Sequence, residues 1–163
     1  MTGAKESMAK SSKRHKLKKS KGTVSMSLKV PSDLKYTDFF ESVFRVYAEE
    51  LEVPQERQEW LCLSLREAVN NALLHGNHLD PEKYVEVTVE KSGSDLVIRV
   101  LDQGTGFDRS NLLNPTEPEN ILRPHGRGIY LIRQFVDDLR FLDEQSGRFG
   151  LEMWVDLDAN PAT

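Results

Sequence analysis

The chain has 163 residues, 38% of them hydrophobic and 29% charged, with a formal net charge of −4. That is enough sequence for one domain with a sizeable core, and no apolar run approaches the roughly 20 residues of a membrane span. Cys62 is the single cysteine, which excludes an internal disulfide, leaves a cysteine-based metal site without ligands, and makes a reducing cytoplasm the default.

The charge is unevenly placed. Residues 1–22 hold eight Lys/Arg and one acid, Glu6, so the remainder carries 14 basic and 25 acidic residues, a net of −11. Such a tail cannot bury enough apolar surface to order itself, and residues 1–22 read as a basic, disordered extension. No apolar stretch follows its lysines, so it is not a secretory signal. No aromatic residue interleaves them for base stacking, and the acidic body opposes a nucleic-acid role for the whole chain. No membrane or nucleic-acid partner is expected.

Residues 23–30 alternate apolar and polar side chains, a half-buried strand. Pro31-Ser32-Asp33 supplies a break and a helix cap. A helix follows over about 36–51, with Phe39, Phe40, Val43, Phe44, Val46 and Tyr47 at helical spacing. Pro54 suits a first helical turn, and a second helix runs to about His75, where Gly76-Asn77 can end it. Residues 84–89 and 96–101 are two strands around Ser92-Gly93-Ser94-Asp95, a hairpin. Residues 102–124 are rich in Gly, Pro, Asn and acids, as functional lids are. A helix over about 128–137 precedes strands at 139–142 and 149–157. Helices in runs and hairpin-linked strands predict an α+β fold: a two-layer sandwich with a mixed, largely antiparallel sheet and helices on one face. The domain should span 23–158, with 159–163 frayed.

Three segments carry chemistry. Glu67, Asn71 and His75 are spaced four apart and share one helix face among apolar neighbours. A solvated polar stripe would have the same spacing. Asp102-Gln103-Gly104-Thr105-Gly106 follows an apolar strand, so a carboxylate stands at the strand end beside glycines that admit a ligand close to the backbone. An ordinary glycine-rich turn also reads so. His125-Gly126-Arg127-Gly128 opens a helix after the lid, where free N–H groups and Arg127 attract phosphate.

Taken in order, these segments resemble the GHKL ATPase superfamily, which includes type II topoisomerases, heat-shock chaperones, mismatch-repair ATPases and histidine kinases. Arg66-Glu67-Ala68-Val69-Asn70-Asn71-Ala72-Leu73-Leu74-His75-Gly76-Asn77 is similar to the N box of the anti-sigma-factor serine/threonine kinases, and the resemblance spans roughly 24–157. It implies the GHKL (Bergerat) ATP-binding fold, with ATP and Mg2+ as cofactors. It implies Glu67 as general base, Asn71 as magnesium holder, and Asp102 as reader of the adenine amino group. Gly104 and Gly106 would shape the adenine wall, Gly126, Arg127 and Gly128 would line the phosphates, and His75 and Gly76 would close the N box. Many relatives place a Gly-Thr pair in the late strand, where this chain has Gly150-Leu151. Arg123 is a candidate extra phosphate contact in a lid stiffened by Pro115, Pro118 and Pro124.

The same resemblance implies an anti-sigma factor that holds a sigma factor and phosphorylates a serine on a small antagonist protein. His15, in a lysine-rich segment, makes a poor phosphoacceptor, which sets the histidine kinases aside. A homodimer is expected, with strand 23–30 and the aromatic helix as candidate interfaces. An ATP-dependent partner-switching module without turnover is the alternative, and Glu67 argues against it because a pure binder needs no base. A nucleic-acid regulator acting through the tail is a third reading.

Overall fold

The computed structural model describes residues 22–106 and 127–159. The expected basic tail, the lid residues Pro115, Pro118, Arg123 and Pro124, the phosphate candidate Gly126 and the last four residues lie outside that span. The elements run β1 (Val24–Pro31), α1 (Tyr36–Glu50), α2 (Gln55–Asn71), a π-turn (Ala72–Gly76), β2 (Tyr84–Ser92), β3 (Asp95–Asp102), α3 (Arg127–Phe135), β4 (Asp138–Glu144) and β5 (Arg148–Asp156).

The strands form one sheet in the order β1-β2-β3-β5-β4. Every pair among the described strands is antiparallel, in keeping with the largely antiparallel sheet expected. Two-residue alternation explains its two faces. Leu28, Val87, Val100, Leu151 and Phe141 stand in register across all five strands, as do Met26, Val89, Ile98, Met153 and Leu139. These rows meet the helices in one core with Phe40, Phe44, Leu61, Leu65, Val69 and Leu73. The other face is polar. Arg99 sits 2.6 Å from both Glu90 and Glu152, and Arg148 sits 2.6 Å from Glu86. A face built that way needs no second helical layer.

The turns reflect local chemistry. Gly93 takes φ 63° between Ser92 and Asp95, as a two-residue hairpin loop asks. Between Glu144 and Arg148 the left-handed residue is Gly147, at φ 74°. The expected cap before α1 differs. Asp33 accepts from the Lys35 N–H (3.0 Å), one turn before the helix, and α1 starts without a side-chain cap. Its other end closes as a Schellman motif. Val53 N–H donates to the Ala48 carbonyl (2.9 Å) and Glu52 takes φ 55° where glycine is usual.

Helix α2 is the central helix, flanked by α1 and α3 and resting on β3. Trp60 of α2 stacks on Phe135 of α3 with ring centroids 4.2 Å apart. Arg57 donates to the carbonyls of Asp156 (2.6 Å) and Ala159, tying α2 to the end of β5. The aromatic residues of α1 divide: Phe40 and Phe44 are buried, while Phe39 and Val46 are exposed.

Candidate active site

Glu67 and Asn71 stand one turn apart on α2 and therefore share a face. The residues after them do not continue the α-helix. Ala72–Gly76 is a π-turn, closed by the Asn77 N–H on the Ala72 carbonyl five residues back (2.8 Å). The wider turn breaks the four-residue spacing that was expected to carry His75 on the same face as Glu67 and Asn71. His75 is exposed, yet it still borders a cavity beside the helix.

That cavity, about 380 Å³, opens between α2, the π-turn and the ends of β3 and β5. Asn71, His75 and Gly76 border one side, and Asp102, Thr105 and Gly106 another. Ala68, Ala72, Val100, Phe149 and Leu151 give it apolar walls. An apolar slot with few polar groups suits a flat heterocycle.

Asp102 is buried, and burial pushes its carboxyl above the ordinary carboxylate range, with the Gly104 N–H, Lys83 and His78 pulling the other way. The Gly104 N–H donates to Oδ1 (2.8 Å), which leaves Oδ2 for another donor. Two glycines make room for this carboxylate. A Cβ on Gly76 would lie 2.3 Å from the Asp102 Cγ, and a Cβ on Gly104 would lie 2.2 Å from the Gly76 carbonyl oxygen. Gly106 takes φ 91°, and a Cβ there would meet the Phe149 ring at 2.8 Å.

The side-chain nitrogen of Asn71 is buried without a hydrogen-bond partner among the described residues. A buried amide group left unmatched costs about 1–3 kcal/mol. A half-turn of the amide exchanges its oxygen and nitrogen, so either can meet a ligand. Gly128, in the first turn of α3, packs here. A Cβ on it would lie 2.6 Å from the Glu67 Oε2 and 3.6 Å from the Asn71 Nδ2. The N-terminal turn of α3 thus faces both side chains and brings positive helix-dipole potential to them. Arg127, the first residue of α3, is exposed and does not border the cavity.

The donor set therefore fits a magnesium nucleotide. Asn71 offers one amide, α3 offers its N-terminal turn, and the apolar slot ends in a carboxylate. Sequence reasoning missed Thr105 and Phe149, which lie in a turn and in ordinary strand alternation.

The family model described as a histidine kinase-like ATPase domain matches residues 30–153. The chain belongs to that family. As an ATPase domain of this kind it binds ATP. A serine-protein kinase RsbW of Oceanobacillus iheyensis is 24% identical over 145 residues, covering 82% of this chain and 91% of that protein. The corresponding kinase of Bacillus cereus is 23% identical over 126 residues, covering 74% and 78%. An anti-sigma F factor of Shouchella clausii is 30% identical over 82 residues, 48% of this chain and just over half (55%) of that protein's length. Among solved structures, a SiaB-SiaC complex from Pseudomonas aeruginosa matches with a TM-score of 0.56 at 14% identity, covering 80% of this chain and 89% of the matched chain. That likeness shows a shared fold.

Proposed function

We propose that this chain is an anti-sigma factor and an ATP-dependent serine kinase that phosphorylates a small antagonist protein. The observation that carries the reading is the pairing of Glu67 and Asn71 against Gly128, with Asn71 and the buried Asp102 both bordering one apolar slot. The names of the kinase and anti-sigma relatives support it.

In this reading Asp102 accepts from the exocyclic amine of adenine through Oδ2, while Oδ1 stays with the Gly104 N–H. Asn71 would hold Mg2+, which prefers oxygen ligands and takes few of them from protein. When bound, the metal neutralises charge on the transferring phosphate. Gly128 and the first turn of α3 stabilise phosphate oxygens, with Gly126 and Arg127 as further contacts. Glu67 takes the proton of the antagonist serine as its oxygen attacks the γ-phosphorus; the serine–phosphorus bond forms and ADP leaves. His75 borders the nucleotide, and the Gly150-Leu151 step gives the adenine an apolar wall where many relatives have a hydroxyl.

The reading includes a cytoplasmic homodimer. Among the described residues β1 pairs only with β2, and Phe39 projects exposed from α1. No described helix is long and apolar enough to cross a membrane.

Asp102→Asn gives a two-sided result. With Oδ1 on the Gly104 N–H, the amide presents a donor where the carboxylate presented an acceptor. ATP affinity falls about 10–100-fold, the worth of a charged hydrogen bond, while GTP, whose base carries an acceptor there, loses less. The protein without nucleotide melts higher. A buried carboxyl with a raised pKa contributes most to stability below its unfolded pKa, and that contribution is lost as pH rises through the folded pKa. At neutral pH the substitution removes this cost. Calorimetry with both nucleotides and a thermal melt at pH 7 check it.

The test of the function is incubation with γ-labelled ATP and candidate antagonists, and then phosphoamino-acid analysis. Phosphoserine on the antagonist is expected. ATP binding with no transfer to any antagonist that binds would overturn the kinase and leave a partner-switching module.

A further inference from the structure

Asn77 is completely buried, at 0% exposure, and its backbone N–H and both side-chain polar atoms are all engaged. The backbone N–H closes the π-turn on Ala72 (2.8 Å). Its side-chain Nδ2 donates to the Tyr84 carbonyl at the start of β2 (2.9 Å), and its Oδ1 accepts from the Gln103 N–H just after β3 (2.8 Å). Gln103 completes the circuit, because its Oε1 accepts from the Tyr84 N–H (2.9 Å). Two side-chain amides thus occupy both backbone groups of Tyr84 and lock three segments together.

Those segments are the ones that flank Asp102. Gln103 comes directly after it in sequence, and Gly76, whose missing side chain makes room for its carboxylate, precedes Asn77. Immediately after Asn77, His78 and Leu79 both take left-handed backbone, at φ 54° and 56°. Two such residues in succession carry strain, which persists only where the surroundings over-determine the backbone. The Asn77 bonds and the Leu79 N–H on the Leu73 carbonyl (2.9 Å) supply that constraint.

We propose that Asn77 is a positioning residue for the base-reading carboxylate, and that the Asn77–Gln103 clasp sets the preference for adenine. The proposal rests on the ATP reading above. Its basis is geometric: a site discriminates only if its groups are held to within about 0.5 Å of the productive arrangement. Asp102 is the last residue of β3, its backbone in register with Phe149 of β5, while its carboxylate is tied only to the Gly104 N–H of the turn that follows; the clasp fixes where that turn starts.

The experiment measures affinities of the full chain for ATP, GTP and magnesium tripolyphosphate, which reports the phosphate end alone. Wild type prefers ATP. Asn77→Ala lowers the ATP-to-GTP affinity ratio by about tenfold, through loss of one well-placed hydrogen bond to the base, and leaves tripolyphosphate binding within about twofold. A merely structural asparagine would reduce the folded fraction, which scales all three ligands equally and leaves the ratio unchanged. Gln103→Ala removes the other half of the clasp from a partly exposed position and gives the same narrowing, so it decides the matter if Asn77→Ala does not fold. A wild-type ratio in the folded variant overturns the proposal while the ATP reading stands. A wild type that binds ATP and GTP equally overturns both.

Discussion

Asn71→Ala loses magnesium-dependent ATP binding by at least about 100-fold, the upper end of what removing even an outer-shell partner costs a metal site. The reason lies in the unmatched buried amide of Asn71. A side chain kept for structure would be hydrogen-bonded in the folded protein, and its loss would destabilise. Here the opposite is expected. Alanine removes an unsatisfied buried group worth about 1–3 kcal/mol and is the better helix former. The variant should therefore melt no lower than wild type without nucleotide, while the large melting shift that Mg-ATP gives wild type disappears. Calorimetric titration with and without a chelator checks the first part: chelation brings wild type down to the variant. Retained magnesium-dependent affinity would remove Asn71 as the metal holder.

Glu67→Gln separates binding from chemistry. The amide fills the same volume beside Gly128, where an added Cβ would come within 2.6 Å of the Glu67 Oε2. ATP affinity should stay within a few-fold of wild type. Phosphotransfer should fall by about 10²–10⁴, the usual contribution of a positioned base. Single-turnover transfer from labelled ATP to the antagonist reads this directly. Full activity in the variant would mean that Glu67 holds α3 in place and takes no proton.

Much of the fold was legible because its causes are local. The strands at 84–89, 96–101 and 149–157 were readable as such, and Val87, Val89, Ile98, Val100 and Met153 within them lie in the core. Helical spacing put Glu67 and Asn71 on one face of α2, because both lie before the helix changes pitch. The change of pitch itself was not legible. The π-turn at Ala72–Gly76 depends on Asn77, whose amide is held by residues 7 and 26 positions away. Local sequence there offered only Gly76-Asn77, an ordinary helix stop. The end of α1 was readable to within a residue, but its closure was not, since Glu52 occupies a left-handed position without glycine.

The carboxylate of Asp102 shows the same division. Its place at the end of an apolar strand was readable. Its burial, and hence its raised pKa, comes from the close approach of Gly76 and Gly104, which no spacing rule encodes. The aromatic residues of α1 could not be sorted by spacing alone, because Phe39 and Phe40 are adjacent. Only packing against the sheet decides that Phe40 is core and Phe39 is exposed.

The most direct test of the central claim, that Mg-ATP sits in the slot between α2, the π-turn, β3 and β5, is the amide spectrum of the labelled protein titrated with Mg-ATP. The backbone amides of Gly76, Gly104 and Gly106 and the side-chain amide of Asn71 should shift together and saturate at one stoichiometric site. Shifts confined to the polar sheet face around Arg99 and Glu152, with those four amides unmoved, would contradict it.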